Sequence, residues 1–442
     1  MNTQSLTISK MIHGGYGLGQ LDDGRIAMIR QTLAGEQVTF VVEEEKKKYL
    51  LGRMLTVLQQ SESRIEAPCP YYGVCGGCDL QHAAYEEQLR IKRDVLIDLL
   101  NRQLFTLPED VSCPVNPTLA SPLTTGYRQR IRLRVRDGHD CGFRKFHSHD
   151  IVTIKRCLIA REEINDALHG LSRHQGFTRL LANCLELELL FNPSSGKVSA
   201  LFHLSRKPRP ADFGSAAELT AALCLLERVF FAAPQFPLAA ASPAGCNSVM
   251  GITYQDADCE LAPFTLSWEA GGFCQINLEQ NRNLISIVSE FAALKHHETV
   301  LDLFCGSGNF SIPLAAAAGS LLGIEGQGGA IRSARANSAT AGLVNTTFEK
   351  RPIHAACEEL AKRGSTFDCL VIDPPRQGIP GLAGRLHSLC RSRLVYISCD
   401  PATLCRDLAD LRSAGFTITR IQPVDMFPQT HHVETIVLLE KN

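Results

Sequence analysis

The stretch "LVYISCDPATLCRDL", residues 394–408, sets Cys399 between an apolar, β-branched run ending at Ser398 and a helix start at Asp400-Pro401. Asp400 is a capping residue type, and Pro401 suits the first helical position. The amide dipoles of a helix N-terminus favour a thiolate, so the Cys399 pKa is expected below the ordinary ~8.5, with Asp400 opposing if it points at the sulfur. Cys405 sits inside the following helix and is less suited. A thiolate so placed can add to C6 of a pyrimidine, turning C5 into an enolate carbon able to accept a methyl group. A base must then remove the C5 proton. "MFPQTHHVETIVLL" offers Glu434 at the head of the last strand, beside His431 and His432. A partly desolvated carboxylate with a raised pKa suits that role.

A second constellation is "CPYYGVCGGCDLQH", where Cys69, Cys75 and Cys78 follow a C-x5-C-x2-C spacing with glycines between them. Such a loop can wrap an inorganic centre. Cys157 is the best candidate for a fourth thiolate, with Cys113 and Cys141 competing. Four cysteines suit zinc or an iron–sulfur cluster, and spacing does not choose between them. Between these cysteines, "YRQRIRLRVRDG" carries Arg128, Arg130, Arg132, Arg134 and Arg136 at every second position. In a strand all five share one face, a row suited to a phosphate backbone. The alternative is a strand face answered by acidic partners within the chain.

"VLDLFCGSGNFSIPLA" reads as strand, glycine turn and helix, with Asn309 opening the helix. A dinucleotide fingerprint would want glycine at 311, where Ser311 stands, so NAD is disfavoured. Glu325 closes the next strand, 17 residues past Gly308, and suits ribose hydroxyls. A glycine loop followed by an acidic second-strand end is how S-adenosylmethionine sites are usually built. After the fourth strand comes Asp373-Pro374-Pro375-Arg376. An aromatic residue after the two prolines would signal amine methylation, and Arg376 argues against it.

These residues need a scaffold. From about 275, strand-like runs at 299–304, 320–325, 345–350, 368–373, 393–398, 416–422 and 433–439 alternate with helical patterns, except between the last two. A doubly wound parallel sheet with an antiparallel last strand is expected. Its ligand edge would carry Phe304, Glu325, Asp373 and Cys399. Residues 1–57 alternate short β runs with turns and read as a small barrel, and an amphipathic helix is expected over about 83–105. With 442 residues, 45% hydrophobic and 21% charged, the chain suits two or three soluble domains. No apolar run is long enough for a membrane span, and the N-terminus lacks a signal-peptide core, so the cytoplasm is expected. Seventeen cysteines there mean buried thiols, ligands and a nucleophile rather than disulfides. The net charge of −1 requires any nucleic-acid contact to come from a local basic patch.

The cysteine loop, "DLFCGSGNF", "DPPRQG", "SCDPATLCRDL" and "HHVETI" together resemble the RNA uracil-5-methyltransferase family, most nearly its ribosomal RNA branch. The resemblance spans nearly the whole chain. It implies a class I S-adenosylmethionine-dependent methyltransferase fold over 263–442, a TRAM/OB-like RNA-binding barrel over 1–57, and a central iron–sulfur domain over 58–262. It implies a [4Fe-4S] cluster on Cys69, Cys75, Cys78 and Cys157. Gln275, Phe304, Asn309, Glu325 and Asp373 would line the S-adenosylmethionine site, with Cys399 the nucleophile and Glu434 the base. Two positions depart from the family pattern: Cys274, where a second aromatic is frequent, and Pro352, where an acidic or amide residue near the adenine is usual. The substrate implied is 23S ribosomal RNA, handled by a cytoplasmic monomer without a protein partner. Alternatives are the same chemistry on transfer RNA and a non-catalytic, cluster-bearing RNA-binding protein. The barrel and cysteine loop oppose the first, and the pairing of Cys399 with Glu434 opposes the second. DNA cytosine-C5 methylation would place proline before the cysteine, where Ser398 stands.

Overall fold

The computed structural model describes residues 3–104, 115–240, 249–254 and 264–442. Cys113 and the expected 262/263 domain boundary lie outside them. Five strands, β1 (Thr3–Ile12), β2 (Tyr16–Gln20), β3 (Ile26–Arg30), β4 (Gln37–Glu45) and β5 (Tyr49–Gln59), close into a barrel in the order β1-β2-β3-β5-β4. Alternating residues such as Leu6, Ile8, Ala27, Ile29, Val38 and Phe40 fill its interior. The cysteine loop follows, then helix α1 (Tyr85–Gln103).

The central region holds β6 (Arg130–Arg136), β7 (Asp140–Arg144), β8 (Ile151–Thr153), α2 (Glu162–Ser172), α3 (Gln175–Leu181), β9 (Cys184–Asn192), β10 (Lys197–Leu204), α4 (Pro210–Ala222), β11 (Leu226–Ala233) and β12 (Phe236–Ala240). Its strands form one sheet in the order β12-β11-β10-β9-β6-β7-β8. A hairpin of β13 (Val249–Tyr254) and β14 (Phe264–Glu269) leads into the last region.

That region contains α5 (Leu278–Ala292), β15 (Thr299–Leu303), α6 (Ser311–Ala317), β16 (Ser320–Glu325), α7 (Gly328–Thr340), β17 (Thr346–Lys350), α8 (Ile353–Lys362), β18 (Phe367–Ile372), α9 (Ala383–Leu389), β19 (Cys390–Ser398), α10 (Pro401–Ser413), β20 (Phe416–Val424) and β21 (Glu434–Lys441). The sheet order is β17-β16-β15-β18-β19-β21-β20, and β21 runs antiparallel to both neighbours. All seven expected strands are present, and the sheet is doubly wound. Along its inner strands both faces are buried. Val371, Val395 and Ile397 face one core with α5 to α7, and Leu370, Ile372, Leu394 and Tyr396 face another with α8 to α10. Near-continuous apolar runs are what parallel strands covered on both sides require. Helix α1 joins this second layer through Leu96 and Leu100.

The chain order reverses at β15, whose neighbours are β16 and β18. Such a switch point opens a crevice beyond the strands' carboxyl ends.

Candidate active site

The crevice is a cavity of about 510 Å³, and its walls include Gln275, Phe304, Asn309, Glu325, Asp373, Cys399 and Glu434. All seven residues that the sequence singled out for cofactor and catalysis therefore meet in one place.

Strand geometry accounts for the meeting of the last two. The pairing of β19 with β21 sets Ser398 opposite Thr435, so the next step outward brings Cys399 beside Glu434. Asp400 caps α10, its Oδ1 accepting from the Thr403 amide at 2.8 Å, while Oδ2 faces His13 of the barrel at 4.0 Å. Pro401 is the first helical residue, as expected.

The charge state of the thiol differs from the sequence expectation. Burial first, then the carboxylates of Glu434 and Asp373, push Cys399 up to about 12, with Arg376 pulling the other way. A helix terminus supplies roughly 0.3–1 kcal/mol, whereas burial shifts a pKa by up to several units. Burial wins. Glu434 rises for the same reason: it is buried, faces Asp373, and only Arg376 opposes. Burial also raises Asp373. His432 on the cavity wall is held down at about 3 by burial, His431 and Arg376, so it stays neutral. Burial thus disfavours the charged form of each of these groups, with the Arg376 guanidinium acting on Cys399, Glu434 and His432.

The cofactor end is built on a constrained turn. Phe304 adopts φ +63°, and Gly306 (+55°) and Gly308 (+90°) continue in the left-handed region, where only glycine is unstrained. An aromatic residue in that region costs on the order of 1–3 kcal/mol, a strain concentrated at functional sites. Glu325 braces the turn, accepting from the Gly306 amide at 3.3 Å and from the Gln327 amide at 2.8 Å. Asn309 does not open the helix; α6 begins at Ser311, and Asn309 instead exchanges two amide hydrogen bonds with Asn281, at 2.8 and 3.0 Å. Ser311, which replaces the third glycine, donates to buried Asp302. Sequence reasoning passed over Asn281, Trp268 and Phe273, which also line the cavity, and named His432 only as a neighbour of Glu434. Trp268, the chain's single tryptophan, was the one with a visible signal.

Cys69, Cys75, Cys78 and Cys157 line a separate cavity of about 70 Å³ with Tyr71, Gln81 and Arg128. Burial pushes Cys75 up to about 11 and Cys78 to about 12. Cys141 is buried elsewhere, in the central core. The cysteine loop also grips the segment leading to Glu434. Asp79 and Leu80 both donate their amides to the Gln429 carbonyl at 3.0 Å, and His431 Nδ1 lies 2.6 Å from Asp79 Oδ2.

The arginine row requires correction. Arg128 precedes β6 and lines the cysteine cavity. The other four do alternate to one face, but that face carries acidic partners. Arg132 pairs with Glu186 (2.9 Å) and Glu188, Arg134 with Glu186 (2.7 Å), Arg130 with Glu188, and Arg136 with Asp140 (2.8 Å). Although burial opposes it, His203, Arg130 and Arg132 hold Glu188 down at about 2. The signal was legible in "LELELL", which sets two glutamates at the same period of two on β9. Arg130 also donates to the Gly272 carbonyl at 2.9 Å, bracing the loop that carries Gln275.

Residues 262–442 match the family model described as tRNA (Uracil-5-)-methyltransferase. The chain is 31% identical to the 23S rRNA (uracil(1939)-C(5))-methyltransferase RlmD of Shewanella sediminis over 99% of its own length and 95% of that relative. It is 30% identical to the protein of the same name from Legionella pneumophila, covering 100% of this chain and 98% of the relative. The crystal structure of Pyrococcus abyssi tRNA (uracil-54, C5)-methyltransferase in complex with S-adenosyl-L-homocysteine shares the fold, with a TM-score of 0.72 at 24% identity, covering 98% of this chain and 99% of that one. With full-length relatives at this identity and a thiol, a carboxylate and a glycine turn converging on one crevice, the chain belongs to the RNA uracil-5-methyltransferase family.

Proposed function

We propose that this protein transfers the methyl group of S-adenosylmethionine to C5 of a uridine in 23S ribosomal RNA, through a covalent bond between Cys399 and C6. The single observation that carries the reading is the strand pairing that sets Cys399 beside Glu434 in the cavity shared with Gln275, Phe304, Asn309, Glu325 and Asp373. S-adenosylmethionine supplies an electrophilic methyl on a positively charged sulfur. The ionised Cys399 sulfur adds to C6, and the ring electrons move onto the C5–C4–O4 enolate. C5 bonds the methyl carbon as the methyl–sulfonium C–S bond breaks, leaving S-adenosylhomocysteine. Glu434 then takes the C5 proton, the C5–C6 double bond re-forms, and the C6–S bond breaks to return the thiolate. Arg376 faces both acidic groups and stabilises their ionised forms. The ribosomal substrate rests on the two full-length relatives that bear that name.

Incubation with S-adenosylmethionine and 5-fluorouridine ribosomal RNA should give a denaturation-stable adduct. Fluorine at C5 cannot leave as a proton, so elimination stops. Cys399→Ala should give none, and absence of an adduct from the unmodified protein overturns the mechanism.

The reading extends to three regions, with 1–57 a TRAM-like RNA-binding barrel, 58–262 a cluster-bearing domain and 263–442 the catalytic domain, working in the cytoplasm. Among the described residues no helix is long and apolar enough to cross a membrane. The cluster would be [4Fe-4S], held by Cys69, Cys75, Cys78 and Cys157. One feature supports a thiolate-held centre: all four ligand-type side chains on the cavity wall are thiols. Anaerobically purified protein should show iron–sulfur charge-transfer absorbance that Cys78→Ser abolishes; a colourless protein holding one zinc overturns the assignment.

A further inference from the structure

Away from both cavities, three planar groups are stacked in series on the back of the cysteine loop. The Arg30 guanidinium carbon lies 3.1 Å from the Phe146 ring centroid. His147 lies parallel to the same ring, at 4.1 Å and 14°. Neither distance leaves room for the other group on the same face, so Phe146 is sandwiched between them. Tyr16 meets its edge at 6.3 Å and 67°. His147 is exposed, and it holds φ +47°, a left-handed conformation that costs a non-glycine residue. Asp79 and Glu43 act on Arg30 from a distance without pairing directly with it, and Arg144 beside the stack is exposed. The Gly76 amide bonds the Arg144 carbonyl at 3.0 Å, fixing this hairpin to the cysteine loop.

A relay of packed residues links the stack to the catalytic cavity. Gly15, next to Tyr16, packs so closely that a Cβ there would lie 3.0 Å from Asp79 Cβ and 3.4 Å from His431 Cβ. The His431 ring is 4.1 Å from that of His432, which lines the cavity with Cys399.

The geometry points to a base-stacking platform: an unpaired RNA base flanking the target uridine stacks on the outer face of His147 and extends the Arg30–Phe146–His147 series. This rests on the reading of RNA as substrate. A uridine that enters the cavity leaves its stack, so its neighbours lose a stacking partner and need another. Aromatic and guanidinium planes accept any base, because every base has a π-face, and the nearby arginines complement the phosphates.

The test uses the full-length protein and a short single-stranded RNA carrying one 2-aminopurine, scanned through the positions around a central uridine. At one flanking position fluorescence should be quenched on binding. His147→Ala and His147→Gly should lose that quenching and weaken RNA binding by roughly tenfold, while His147→Trp preserves both. His147→Gly should melt no lower than the unmodified protein, since glycine relieves the left-handed strain, which separates lost stacking from lost folding. The KM for RNA should rise with kcat unchanged. Wild-type binding and quenching in His147→Gly overturns the platform alone. If the unmodified protein neither binds nor methylates RNA, the substrate reading fails and the platform falls with it.

Discussion

Cys399 and Glu434 sit in a site that suppresses ionisation, and this shapes what each can do. Burial holds both up, and Arg376 is the only cationic side chain acting against it on either group. Glu434 enters after C5 has taken its substituent, so Glu434→Gln should stop the cycle at elimination. That variant should accumulate a methylated protein–RNA adduct with ordinary uridine, detected as a mass equal to protein plus RNA plus one methyl, and its turnover should drop by a factor on the order of 10² to 10⁴. If the variant forms no adduct and releases unmethylated RNA, Glu434 acts earlier than proposed. The pH profile should rise toward alkaline pH, because a thiol raised to about 12 gains thiolate with each unit of pH below that value.

At the scale of elements, the segment between β20 and β21 is held from outside its own sheet. Lys92 of α1 reaches Asp425 at 2.5 Å with both side chains fully buried, and it donates to the Phe427 carbonyl at 3.1 Å. Gln88 of α1 exchanges hydrogen bonds with Gln429, at 2.9 and 3.1 Å, and Tyr127 donates to the Pro428 carbonyl at 3.0 Å. Removing one partner of a buried ion pair strands the other charge. Lys92→Met should therefore cost about 3–5 kcal/mol in urea unfolding, and Lys92→Met with Asp425→Leu should recover most of the loss. Equal losses in the single and double variants would show that the pair's own balance is not what matters. The regular β/α alternation was legible because buried parallel strands are short apolar runs and their helices have a different period. The clamp was not, because Lys92 reads in sequence as one more solvated charge on an amphipathic helix.

The whole molecule joins barrel, cysteine loop and catalytic sheet through buried histidines. His82, in the loop, lies 3.2 Å from the Thr32 carbonyl of the barrel and 2.5 Å from the Tyr72 hydroxyl, and burial lowers it to about 4. His432 is lowered to about 3. Between about pH 4 and 6.5 the unfolded chain binds protons on these two residues that the folded chain does not. Stability must therefore fall on acidification through that window. Going from pH 7 to pH 5 should cost on the order of 2 kcal/mol for each histidine. Denaturation at the two pH values should show it, with His82→Gln flattening its share of the dependence; an unchanged slope in that variant would remove His82 from the account.

From the chain alone came the order of strands and helices, the glycine turn before Glu325, the cap at Asp400 and the thiol at the end of β19. Each is a local signal, written in residues a few positions apart whose backbone preferences do not depend on the rest of the molecule. What the fold decided was the company those residues keep. Glutamates more than fifty positions downstream pair with Arg130, Arg132 and Arg134, burial together with the carboxylates of Glu434 and Asp373 raises the Cys399 thiol, and Asp79 meets His431 across a separation of 352 residues. Charge state and pairing depend on burial and on distance in space, and only packing brings such distant groups together.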